Sequence, residues 1–248
     1  MTTPTSPTDA LPPLDTGIEP PPIWFLSPEG FFALPLAATA EERTERAHSF
    51  VRELYSHGDD SIWEPAAPYY SAIAELMADT GVSYAAMGLF STAEETAENT
   101  EEDDVVRAAG ADGVAQCAFT VAAVPTDQAR ADTDVVAQGI LAILSRDPYN
   151  DARWLDLPCG PAVSCVTLKE FKLNPEVTES GEEVELLTGQ IQVHVPFPTG
   201  PFTAVFTLYT ASTDYWGEFC DMMGSILQTV SFTEPLGVDT EEDAEGDA

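Results

Sequence analysis

The amino-acid sequence predicts an α+β fold in which an antiparallel β-sheet of about five to six strands is packed between helices. Apolar residues recur at helical spacing in several segments, which is typical of amphipathic helices. Other segments have the apolar content and length of strands and are bounded by turn or acidic residues. The connections 174–183 and 197–201 are short, which favours antiparallel neighbours because a parallel pair needs a long crossover.

The helices are predicted from caps and apolar stripes. Thr39 and Glu42 have the spacing of a capping box, and residues 47–54 carry an apolar stripe that ends before Gly58. The same periodicity occurs in three later segments, at about 66–79, 127–146 and 213–228. We therefore expect four helices.

Strands are expected in five regions, 82–90, 114–124, 153–173, 184–196 and 202–210. The third region is interrupted by a Pro-Cys-Gly-Pro turn signal at 158–161, so it can supply two strands. The first two regions are separated by an acidic segment, and we expect them to form a hairpin with a long connection.

Charge excludes several classes of function. The chain has 248 residues, with 9 Lys and Arg against 43 Asp and Glu, and a formal net charge of −34. Non-specific nucleic-acid binding is excluded because phosphate contacts need basic side chains that release counterions. The same charge disfavours anionic lipid surfaces, and no apolar run reaches the roughly 18 to 20 residues that a membrane span needs. We expect no nucleic acid and no membrane insertion.

Composition divides the chain into three parts. Residues 1–22 contain seven prolines and no basic residue, so we expect a disordered Pro-rich leader and not a secretory signal. Residues 236–248 are expected to be a disordered acidic tail. Between them, 23–235 is expected to be a single α+β domain, with an aromatic segment and helices in 23–81 and the sheet–helix core in 82–235. The four cysteines form no CxxC pair, and with no signal the expected location is cytoplasmic.

The acidic residues are concentrated in three segments. Residues 91–104, here called the acidic stretch, carry seven acids, residues 176–185 carry five and the tail carries six. One interpretation is that these are solvated loops that keep the protein soluble. The other is a surface that binds a basic partner protein. In that case the candidate binding residues are Glu101, Glu102, Asp103 and Asp104.

Residues 24–36, here called the aromatic segment, are more aromatic than a linker requires. They include Trp24, Phe25, Phe31 and Phe32. Such side chains can simply close the edge of a core. The functional alternative is an aromatic anchor or groove for a segment of a partner protein.

The sequence contains no recognisable catalytic, cofactor or metal motif. There is no GxSxG elbow, no GxxxxGK[ST] loop and no GxGxxG. Residues 56–61 contain Ser, His and Asp in one run, but triad members converge from separate rigid elements, so Gly58 ending one helix and Asp60 or Ser61 capping the next is the simpler interpretation. Three His far apart in sequence do not suggest zinc. We expect no cofactor, no metal and no catalytic residues.

Three short motifs follow one another in the second half of the sequence. They are LPCGPAV at residues 157–163, FTLYT at 206–210 followed by DYW at 214–216, and TVSF at 229–232. Together with the expected order of hairpin, helix, three strands and final helix, these motifs resemble the PsbP-like superfamily of α/β/α sandwiches. The first looks like the LPxGPAV stretch of actinobacterial members, the second like their last strand entering the final helix, and the third like their usual ending. The resemblance covers about 82–232. It implies an α/β/α sandwich and a mostly non-catalytic protein binder, since the superfamily includes photosystem accessory subunits, a Ran-binding import factor, mycobacterial lipoproteins and effector-loading chaperones of secretion systems.

The leading functional hypothesis is therefore a non-catalytic cytoplasmic protein-binding accessory factor, such as an adaptor, chaperone or neutralising partner. Its partner would be a basic protein or a secretion-system component. Two alternatives stay open: a small-ligand carrier that uses the cleft between sheet and helices, and an enzyme with a carboxylate-based site. The sequence leaves the homo-oligomeric state open.

Overall fold

The computed structural model describes residues 20–91, 113–126, 132–173 and 184–234. Most of the expected leader, the expected tail, and the candidate residues Glu101, Glu102, Asp103 and Asp104 lie outside these residues. The described helices are α1 (Ala40–Leu54), α2 (Asp60–Asp79), α3 (Thr133–Leu144) and α4 (Trp216–Gln228). None of them is long and apolar enough to cross a membrane.

One antiparallel sheet of seven strands organises the fold, in the order β1-β2-β3-β7-β6-β5-β4. The strands are β1 (Phe31–Ala33), β2 (Val82–Ser91), β3 (Val114–Pro125), β4 (Asp151–Leu157), β5 (Gly160–Leu173), β6 (Val184–Pro196) and β7 (Phe202–Thr210). The predicted α+β class, the β2–β3 pairing and the antiparallel β5–β6–β7 neighbours are confirmed. The strand number is one higher than expected because β1, only three residues long, pairs with β2.

Helices cover both faces of the sheet. Register places Phe119, Phe206 and Leu208 on one face, here called the α4 face, where they form a core with buried residues of α4. On the opposite face, α1 and α2 pack over Phe32 and Met87 at one end. At the other end of that face α3 packs over β5 and β6. The arrangement is a sheet between two helical layers.

The helix bounds differ from the prediction in three places. α4, expected from about 213, begins at Trp216 because Thr213–Tyr215 form a short 3-10 helix. α2 begins at Asp60, six residues earlier than predicted, although Pro65 and Pro68 lie inside it and cannot donate helical hydrogen bonds. Asp59, and not Asp60 or Ser61 as expected, caps this helix: its Oδ1 accepts the Ser61 backbone N–H at 2.9 Å. α3 begins later than predicted, at a cap formed by Asp132, and residues 127–131 lie outside the described chain.

The aromatic segment is joined to the chain that follows α4. Trp24 and Ser231 exchange two backbone hydrogen bonds of 2.9 Å each. Next to them the Leu26 N–H donates to Oγ1 of Thr229 at 2.9 Å. These bonds hold the Phe25 ring in the core of the α4 face, where it packs edge-to-face against neighbouring rings.

Candidate functional site

A groove of about 520 Å³ opens on the α4 face, between the turn before β1 and the first turns of α4. Its lining comes from four parts of the chain that are far apart in sequence. The lining residues are Glu29, Gly30, Leu89, Phe90, Ser91, Ala115, Tyr215, Glu218, Phe219 and Met222.

The floor of the groove is apolar and tightly packed. The Phe90 ring packs edge-to-face against the rings of Phe31 and Phe219, with centroid distances of 5.4 and 6.0 Å. Phe219 and Ala115 are almost fully buried. Because these side chains also belong to the core of the α4 face, the floor is rigid, and a bound group would meet a preformed surface.

The turn before β1 depends on a glycine. Gly30 has φ of +87°, in the left-handed region, and a Cβ there would lie 2.7 Å from Cε1 of Phe90 and 3.0 Å from the Leu89 carbonyl oxygen. The Leu89 N–H donates to the Gly30 carbonyl at 2.9 Å. The turn is thereby fixed against the end of β2, which places Glu29 at the groove.

The rim of the groove is acidic. Glu29 and Glu218 are both exposed and come from different walls, the turn before β1 and the first turn of α4. Among the described lining residues there is no Lys, Arg or His to neutralise them. An apolar floor beneath two uncompensated carboxylates is suited to a group that is apolar in part and positively charged in part.

Two segments singled out in the sequence contribute residues to the groove. Phe31 of the aromatic segment packs edge-to-face against the Phe90 ring, and Glu29 and Gly30 belong to the same segment. Ser91, a lining residue, is the first residue of the acidic stretch. In the sequence Ser91 precedes the seven acids of the acidic stretch, which lie outside the described residues.

The four aromatic candidates do not form one patch. The Phe25 and Phe31 rings pack in the core of the α4 face, while Phe32 packs against α1 and α2 on the opposite face. Trp24 is half-buried and pairs through its backbone. Leu26 is an exposed large apolar side chain of the segment, at 71%. An aromatic anchor made of these four residues stays a prediction.

A second hollow lies at the other end of β2 and β3, with a volume of about 350 Å³. Its walls include Pro20–Pro22 of the expected leader, together with Phe25, Tyr84 and Phe197. Unlike the groove, it has no carboxylate among its described lining residues.

None of the Cys or His residues is among the described residues that line the groove. Burial raises the pKa of the Cys117 thiol to about 12, so this thiol stays protonated and acts as a small apolar group. Ser56 Oγ and His57 Nδ1 are 3.3 Å apart on the surface, but Asp59 is hydrogen-bonded to Ser61. The described residues contain no group of three or more His, Cys, Asp or Glu that could hold a metal ion.

A scan against protein-family models and a search of curated proteins found no match to this chain. The resemblance to the PsbP-like superfamily therefore stays a prediction. Sequence reasoning missed Glu29, Tyr215, Glu218 and Met222, because no local spacing connects the turn before β1 with α4. Glu29 had a local signal, because it lies between Pro28 and Gly30, and Pro and Gly mark turns.

Proposed function

We propose that this chain is a non-catalytic, cytoplasmic protein-binding accessory factor whose partner is a basic protein. The observation that carries the proposal is the groove, where a rigid apolar floor lies beneath Glu29 and Glu218 and opens next to the start of the acidic stretch. Preformed apolar pockets with nearby charges are the usual energetic centre of a protein interface.

The net charge of −34 supports the same choice of partner. A field of one sign attracts an oppositely charged protein over distances near the Debye length, about 8 Å at physiological salt. It raises the association rate and repels acidic competitors. Association should therefore weaken as salt screens the charges, while contacts with the apolar floor should be less sensitive to salt.

The test is affinity capture from lysate of the native organism at low and at raised salt, read by mass spectrometry. The wild-type chain should recover a basic partner in stoichiometric amount at low salt and less of it at raised salt. Recovery of no specific partner at either salt would refute the proposal. A partner with an acidic surface would refute the expected charge complementarity.

A carrier of small apolar ligands is a second candidate function, favoured by the 350 Å³ hollow between Pro20–Pro22 and the sheet. Its volume falls within the range of about 300 to 1,000 Å³ that is typical of ligand pockets. Native mass spectrometry of the chain purified from its own cells should then show a small bound molecule. Only the mass of the bare chain would argue against a carrier.

A further inference from the structure

We infer that the groove binds a segment of the partner in which a large apolar side chain lies next to Lys or Arg. This inference rests on the proposed function and specifies the chemistry of the partner. It joins two properties of one site, the packed apolar floor around Phe90 and the acidic rim formed by Glu29 and Glu218.

The size of the groove limits what can enter it. At about 520 Å³ it has the volume of a typical small-ligand cleft, which accommodates one or two side chains but no complete helix. Phe90, Phe219 and Met222 present aromatic and thioether surface, and a thioether adapts to apolar groups of different shapes. A Leu, Met or Phe side chain would lose contact with water there without leaving a polar group unpaired.

The acidic rim determines which charge is favoured in the partner next to the inserted apolar side chain. A Lys or Arg side chain can lay its methylene stem along apolar surface while its charged head stays in water. With carboxylates on both walls, such a head would pair with Glu29 or Glu218 on either side of the inserted apolar group. An acidic neighbour would meet two like charges without a basic side chain among the described lining residues to offset them.

The amino end of α4 acts in the opposite direction, because the positive end of a helix favours anions. Glu218 in the first turn supplies a compensating negative charge from within the helix, and Glu29 adds a second carboxylate from the other wall. The two full negative charges exceed the roughly half charge of the helix end, so the site as a whole favours a cation.

The experiment measures the binding of three fluorescein-labelled synthetic peptides to the full chain by fluorescence anisotropy at low salt. The probes are an amphipathic Leu/Lys peptide, a Ser/Lys peptide of equal charge and a Leu/Glu peptide. The Leu/Lys peptide should bind at least about tenfold more tightly than the Ser/Lys peptide, because only it fills the floor, and the Leu/Glu peptide should not bind.

Two double variants distinguish peptide binding at the groove from general attraction to the negative charge of the protein. Glu29→Lys with Glu218→Lys reverses the rim, and Glu53→Lys with Glu64→Lys makes the same change in net charge at exposed positions of α1 and α2, on the opposite face. The rim variant should weaken Leu/Lys binding about tenfold more than the control variant. Equal weakening by both variants, or equal affinity for Leu/Lys and Ser/Lys peptides, would overturn the inference.

A photo-crosslinking Leu/Lys peptide keeps the test valid if a variant fails to fold. Crosslinks to wild-type residues at the groove, such as Phe90 or Met222, would support the inference, whereas crosslinks confined to α1 and α2 would overturn it.

The proposed function and the further inference can fail separately. If capture succeeds and the rim variant retains the partner, the function stands and the inference falls. If the peptide binds at the groove but lysate yields no partner, the proposed function falls.

Discussion

The contact between Gly189 of β6 and Trp216 of α4 gives the sharpest test of how the sheet positions the groove. Trp216 begins α4, next to the lining residues Tyr215 and Glu218. A Cβ added to Gly189 would lie 2.8 Å from Cε3 and 3.1 Å from Cη2 of the indole, and closer still to Cζ3. Because Gly189 has no side chain, the Trp216 indole packs directly on β6. This contact fixes the distance between the strand and the first turn of α4.

The expected change in the free energy of unfolding for Gly189→Ala is the difference between two opposing contributions. Overpacking a well-packed site by a methyl group costs about 1 to 3 kcal/mol, since the ring or the helix must move. The backbone of Gly189 lies outside the left-handed region, so alanine also stabilises by about 0.4 to 1 kcal/mol through a narrower unfolded ensemble. We expect Gly189→Ala to lower the free energy of unfolding by about 1 to 2 kcal/mol.

The assay is urea unfolding followed by far-UV circular dichroism, performed as a double-mutant cycle with Trp216→Leu. In the Trp216→Leu background the added methyl group meets a smaller, flexible side chain, so Gly189→Ala should cost close to nothing or stabilise slightly. The m-value should be unchanged, because the surface exposed on unfolding is nearly the same. If Gly189→Ala costs the same in both backgrounds, the indole is not the cause and the reasoning is wrong.

Three further predictions concern a helix cap, a core ring and a buried imidazole. Thr39→Ala should lower the free energy of unfolding by about 1 kcal/mol, because Oγ1 of Thr39 accepts the Glu42 N–H. Urea unfolding measures this, and a similar loss for Thr39→Ser would contradict a role of the hydroxyl. Phe25→Ala should cost about 3 kcal/mol in the same assay, because its ring packs edge-to-face on three other rings; Phe25→Leu should cost less, and equal costs would argue against packing as the cause. Burial lowers the pKa of His194 below its ordinary 6.5, so the unfolded chain binds the proton first and stability falls as the pH drops below about 6.5. His194→Gln should flatten that part of a stability–pH curve, and an unchanged slope would show that His194 does not titrate there.

Local signals were sufficient where the chain interacts with nearby residues. The capping-box spacing predicted the start of α1, and the Glu42 N–H donates to Thr39 Oγ1 at 3.2 Å as expected. The start of α2 could not be predicted in this way, because Pro65 and Pro68 argue locally against a helix. Packing of that helix against α1 in a shared apolar core offsets the lost donors, and such packing depends on residues distant in sequence.

The groove illustrates a second limit of prediction from the sequence. Phe31 was singled out for its aromatic character, yet its contribution is to support Phe90 from inside the core. Glu29 and Glu218 are ordinary acids in the sequence, and they share a groove only because β1 and β2 lie beside β3 while α4 covers the same face. Composition indicated a basic partner, whereas the position of the site required the order of the strands.

The backbone pairing of Trp24 with Ser231 affects how the protein should respond to a pulling force. Trp24 and Leu26 run antiparallel to Ser231 and Thr229, so Pro20 and Glu234 leave the pair at the same end. Tension applied between these two points would load the hydrogen bonds one after another, as in a zipper, and not all together in shear. The first step of forced unfolding would then withdraw Phe25 from the core while the central strands stay paired. A pull on the ends would thus loosen the aromatic segment that supports the groove long before it ruptured the sheet.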